Sequence, residues 1–120
     1  MYNCIEYLGM NSFSKNIIAA STEPIILSIL CEGDSYGYEI IKRIKEITDD
    51  KLVWKEGSLY PVLKKLETEK LIKSYFKEYN GRKRKYYSIN NVGRQKLVSL
   101  KDQWEFFTNT FDKLWKPINL

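Results

Sequence analysis

Apolar residues recur along this chain in two rhythms, and the change between them organises it. From Phe13 the spacing is helical: Ile17 and Ile18, then Ile25, Ile26, Ile29 and Leu30, closed by Gly33 as a C-terminal stop signal. Pro24 lies inside that span. It either kinks one long helix or sits in the first turn of a second one capped by Ser21-Thr22-Glu23; the single kinked helix is favoured. Asp34 and Ser35 offer an N-cap for a helix over Tyr38–Thr48, with Ile40, Ile41, Ile44 and Ile47 as its buried stripe. Its outward side carries Lys42, Arg43 and Lys45, and Thr48-Asp49-Asp50 breaks it.

A third helix follows and ends around Lys70, with Leu59, Leu63 and Leu66 on one apolar face. A proline is tolerated only where backbone N–H groups lack intrahelical partners, so Pro61 places the start near Gly57 or Ser58. Ser58, Tyr60, Pro61, Lys64 and Lys65 then face solvent. Small, hydroxylated and cationic groups at a helix N-terminus suit a phosphate backbone and a groove floor. On this stretch alone, an amphipathic core helix with a solvated basic face reads the same way.

Between Leu71 and Ile89 the period drops to two, and Asn80-Gly81 separates two β-rich runs, the strongest short hairpin signal. With those two residues as the turn, Ile72, Ser74 and Phe76 share a face with Ile89, Tyr87 and Lys85, an apolar patch able to cap the helices. The other face interleaves Lys73, Tyr75, Lys77 and Tyr79 with Arg82, Arg84 and Tyr86, a pattern suited to a nucleic-acid backbone or minor groove. A plain solvated hairpin is the bland alternative.

Asn90 caps the last helix, expected over about Asn91–Trp115 and halted by Pro117. Leu97, Leu100, Trp104, Phe107, Phe111 and Leu114 are spaced by alternating threes and fours, a heptad seam. It carries more apolar area than so small a body covers, which asks for a second copy of the helix in a dimer. The expected fold is therefore mainly α with one β-hairpin: a winged helix-turn-helix over 13–90 and a dimerisation helix over 91–120. Residues 1–12 show no clear period and read as a loose or adaptively packed N-terminal extension.

Composition sharpens the functional side. The 120 residues carry a net charge of +5, and nearly all of it lies in Lys77, Arg82, Lys83, Arg84 and Lys85 against Glu78 alone. Such a cluster points to an anionic partner. There is no histidine, which removes the commonest general base and His-ligated zinc. Cys4 and Cys31 have no metal-ligand spacing; two free thiols suit a reducing cytoplasm, and Cys31 reads as a small core residue. Neither a membrane-spanning run nor a signal peptide is expected, nor any cofactor or metal, and an enzyme is not expected.

The residues also carry a resemblance. Glu32-Gly33, Gly37-Tyr38-Glu39-Ile40, Glu56-Gly57-Ser58-Leu59-Tyr60-Pro61-Val62-Leu63, Leu66-Glu67, Gly81-Arg82-Lys83-Arg84-Lys85-Tyr86-Tyr87 and Gly93-Arg94 resemble the PadR family of bacterial transcriptional regulators. The match spans about residues 22–115, with the blocks in family order. It implies a homodimeric repressor that sets the Gly57 helix of each subunit in successive major grooves of double-stranded DNA, with the wing on minor groove or phosphates. A palindromic operator with half-sites roughly 34 Å apart follows from the two-fold. Ser58, Tyr60, Pro61, Lys64 and Lys65, with Tyr38 and Lys42 and the wing cations Arg82, Lys83, Arg84 and Lys85, are the candidate DNA contacts.

The resemblance further implies release by a small molecule. In the small branch of the family, flat aromatic compounds stack on a tryptophan in a pore at the dimer centre. Trp104 matches that tryptophan, and Ala20, Pro24, Leu100 and Thr108 would line the pore. Trp104 as a mere core aromatic of the seam is the competing reading. Three departures stand out: Tyr36 replaces a common histidine, Pro24 is unusual in the first helix, and residues 1–12 have no counterpart. Two rivals remain, a winged helix of another type such as MarR, and a protein-interaction module whose basic hairpin docks an acidic partner.

Overall fold

A computed structural model of the chain describes residues 13–116, so the expected N-terminal extension lies outside the described residues. Helix α1 runs unbroken over Lys15–Glu32 through Pro24, and Ser14 caps it by accepting from the Ile17 N–H at 3.1 Å. One helix rather than two therefore holds the span. Pro24 has no N–H to give the preceding turn. Hydroxyls on either side add bonds to the helix backbone: Thr22 donates to the Ile18 oxygen and Ser28 to that of Pro24, both at 2.6 Å. Ile26, Leu27, Ile29 and Leu30 are buried on several sides at once, making the C-terminal half of α1 the central rod of the core.

The turn after α1 departs from expectation. Ser35–Tyr36 form a short strand, β1, and helix α2 spans Gly37–Ile47. Neither Asp34 nor Ser35 is its N-cap; that position is Tyr36, without a capping side-chain bond. Ser35 instead donates to Glu39 at 2.6 Å while its backbone pairs opposite Tyr87. Ile40 and Ile44 are buried, but Ile47, expected in the same stripe, is 50% exposed, because α2 has run past the edge of the core by its last turn. Cys31 is likewise exposed rather than in the core. Trp54, from the segment ahead of the next helix, joins the core.

Helix α3 covers Glu56–Thr68, beginning slightly ahead of the expected start, so Pro61 sits in its second turn. Leu59, Leu63 and Leu66 are fully buried. Strands β2 (Ile72–Tyr79) and β3 (Arg82–Ile89) pair antiparallel in the expected register, from Tyr79 opposite Arg82 to Ile72 opposite Ile89. Asn80 and Gly81 both have positive φ, 52° and 75°, the backbone a two-residue hairpin turn demands. β1 adds to the outer side of β3, giving a three-stranded sheet in the order β1-β3-β2.

The sheet faces divide less simply than their alternation implies. Ile72 and Tyr87 are buried as expected, but Phe76 is 62% exposed, since the hairpin reaches beyond the helices there. Tyr86, on the face expected to be open, is buried beneath the ring of Tyr36 from β1. Helix α4 spans Asn91–Trp115, capped by Asn90, which accepts from the Gly93 N–H at 2.8 Å. Its N-terminal part packs on α1, with Leu97 and Leu100 half-buried against the core. Beyond Lys101 it leaves Trp104, Phe107, Phe111 and Leu114 exposed.

A candidate nucleic-acid interface

The third helix presents its expected face. Ser58, Tyr60, Pro61, Lys64 and Lys65 are all exposed on α3 while the leucines anchor the opposite side. Tyr60 leans back over the start of α2, so close to Gly37 that a Cβ there would lie 2.5 Å from the phenol oxygen. Glycine at that position leaves room for the end of the Tyr60 ring against the start of α2. Lys64 forms no ion pair among the described residues, whereas Lys65 is held by Glu23 of α1 at 2.5 Å. That hydrogen bond, ahead of the Coulombic attraction, raises the Lys65 pKa.

On α2, Tyr38 and Lys42 are exposed and share a cleft of about 470 Å³ with Tyr36 and with Tyr79 of the wing. The candidates on α2 thus lie beside those on the hairpin. Arg43, expected outward, is turned to Glu32 in a bidentate pair at 2.9 and 2.8 Å. The pair pulls the Glu32 carboxyl below its ordinary range, chiefly through the hydrogen bond.

The wing cations are unalike. Arg82, Lys83 and Lys85 are exposed, and none joins an ion pair among the described residues. Lys83 lies over Phe76 at 5.4 Å and Lys85 over Tyr87 at 5.7 Å. Arg84 is half-buried, its guanidinium 4.6 Å from the ring of Tyr36 and 5.6 Å from that of Tyr79. Lys77 stands 5.3 Å over Tyr86, which Tyr75 stacks from the other side of the ladder. Among these, Tyr36 was not singled out for the interface, since a two-residue strand has no period to reveal it.

A second concavity lies elsewhere, between α1, the end of α2 and α4. It encloses about 560 Å³ over a largely apolar floor of Pro24, Ile25, Ile29, Ile44, Leu97 and Trp104, with Thr108 also on its wall. Of the five expected pore residues, Trp104, Pro24 and Thr108 meet here; Ala20 is exposed outside this groove and Leu100 packs toward the core. Exposed Ile47 forms part of the wall. Among the described residues no cluster of acidic or thiol side chains could hold a metal ion, and no helix is long and apolar enough to cross a membrane.

Comparison with known proteins places this geometry. Residues 26–99 match the family described as transcriptional regulator PadR-like. An uncharacterized protein of Lysinibacillus sphaericus is 38% identical over 91 residues, covering 75% of this chain and 84% of its own. Transcriptional regulator YqjI of Escherichia coli is 36% identical over 81 residues, or 68% of this chain; the match spans only 38% of that longer protein. The solved structure of a transcriptional regulator from Clostridium thermocellum superposes with a TM-score of 0.78 at 39% identity, over 85% of this chain and 100% of the other.

Proposed function

The chain belongs to the PadR-like family of transcriptional regulators, and we propose that it is a homodimeric repressor that binds a palindromic DNA operator through α3 and the wing. The observation that carries this reading is the row of cations at the wing tip: Arg82, Lys83 and Lys85 stand exposed and without carboxylate partners among the described residues. Cations left unpaired on a projecting ribbon gain by displacing counterions from a phosphate backbone. Ser58 and Tyr60 near the start of α3 set register against backbone or base edges, and Lys64 neutralises phosphate. Residues 13–90 make the DNA-binding part and 91–120 the dimerisation arm. The aromatic run of α4 supports the arm, because exposed apolar surface of that extent is costly in water.

A flat aromatic effector fits the groove beside Trp104, walled by Pro24 and Thr108. It would release the operator by favouring a spacing of the two α3 helices that does not match successive major grooves, which needs a preference of roughly 1–3 kcal/mol. Ala20 and Leu100 would join such a site only through rearrangement or the second subunit. Electrophoretic retardation of the DNA upstream of its own gene tests the core of the proposal. Saturable binding that outcompetes unrelated duplex is expected. Weak retention, equal on every sequence, would favour a basic interaction module instead.

A further inference from the structure

Four consecutive cations occupy the wing, but one is built into it. Arg84 is clamped between Tyr36 on one side of β3 and Tyr79 on the other, at 4.6 and 5.6 Å. Its Nε is shut away from solvent without a hydrogen-bond partner. A buried N–H left unpaired is costly, so the guanidinium is placed where ring faces compensate it. Neither Nη nitrogen takes a hydrogen-bond partner among the described residues. Tyr36 is itself locked, edge-on against Tyr86 at 5.2 Å, and its backbone pairs with Tyr86 through β1. Arg82, Lys83 and Lys85 have no comparable enclosure.

A mobile cation follows any phosphate within reach and so binds all duplexes alike. A guanidinium held in one direction meets its target only where backbone path or groove width suits it, and it loses less freedom on binding. We infer that Arg84 is the wing's specificity-determining cation and that Tyr36 and Tyr79 are positioning residues that aim it, while the other three supply sequence-independent attraction. This deepens the DNA-binding reading above and rests on it.

The test uses the full chain and a randomised pool of DNA duplexes, from which the wild type enriches preferred sequences. Affinities are then measured across salt for an enriched duplex and a scrambled one. Tyr36→Leu and Arg84→Lys should each lower the ratio of the two affinities by about fivefold, the scale of a cation–ring contact still open to solvent. Both keep the charge, so the salt slope should not change, and Tyr36→Phe should retain the ratio. Arg84→Lys keeps the Tyr36–Tyr86 packing and carries the test should Tyr36→Leu fail to fold. An unchanged ratio in Arg84→Lys, or an equal loss on both duplexes, overturns the inference while leaving DNA binding intact. A wild-type chain that enriches nothing overturns both.

Discussion

Lys65, on the exposed face of α3, is bound at 2.5 Å to Glu23, the residue of α1 that immediately precedes Pro24 in the groove wall. The pair joins the helix proposed to contact DNA to the helix that lines the groove. It also means that Lys65 is not a free cation like Lys64. Phosphate has to compete with a carboxylate for it.

Replacing Glu23 with glutamine should therefore strengthen DNA binding rather than weaken it. The freed ammonium adds one phosphate contact, so the slope of log affinity against log salt should steepen by about one at most. Lys65 is more than half exposed, so solvent screens the pair and the loss in stability should be small. Fluorescence anisotropy on a labelled duplex at several salt concentrations reads both effects. A shallower slope would remove Lys65 from the contact set.

Substituting Phe107 and Phe111 together with lysine should yield a monomer at micromolar concentration. Both rings are exposed on α4 within one aromatic run, Phe107 tilted toward Phe111 at 6.4 Å and Phe111 stacked on Trp115 at 4.8 Å. Charges placed in a seam between two copies would be desolvated without partners. Since neither ring packs in the core of one chain, the melting of the winged domain should hardly move. Sedimentation velocity gives the mass, and a dimer persisting in the double variant would place the interface elsewhere.

Gly93 is the most constrained position on α4. A Cβ there would lie 2.2 Å from the Leu71 carbonyl oxygen and 2.7 Å from Cγ1 of Ile89. The first obstacle is backbone, which cannot swing aside. Gly93→Ala should cost about 1–3 kcal/mol by overpacking, seen as a lower urea midpoint with an unchanged slope.

Trp104 is 42% exposed in the groove, whereas Trp54 is buried in the core. A flat aromatic ligand held against Trp104 should quench a large part of tryptophan emission in the wild type and much less in Trp104→Phe. Equal quenching in both would separate the groove from effector binding without touching the DNA reading.

Tyr75 on β2 donates a 2.7 Å hydrogen bond to Asp34 in the turn before β1. That bond to a carboxylate, more than burial, raises the phenol's pKa above its ordinary value of 10.0. A raised folded-state value means stabilisation that is whole below pH 10 and fades as the pH climbs through the folded pKa. The melting-temperature advantage of wild type over Tyr75→Phe should thus hold at pH 8 and shrink as pH rises past 10.

Periodicity made much of this fold legible. Leu59, Leu63 and Leu66 recur on one face of a helix, and one face is what a packed helix buries. Asn80-Gly81 accepts the positive φ angles of a two-residue turn, and that turn alone set the register of all eight cross-strand pairs. The open face of α3 followed from the same repeat. Phe76, Ile47 and Cys31 were misread because a pattern says which way a side chain points, not whether another element lies there to cover it.

The order and type of the main elements, the hairpin register and the cation-rich wing were thus decided by the sequence itself, through backbone preferences and repeats that act within a few residues. Tertiary packing alone decided the rest. It laid Tyr36 over Tyr86, clamped Arg84 between two rings, gave Lys65 a carboxylate and walled a groove around Trp104. Each of these joins residues far apart in the chain, where no local rhythm records the distance between them.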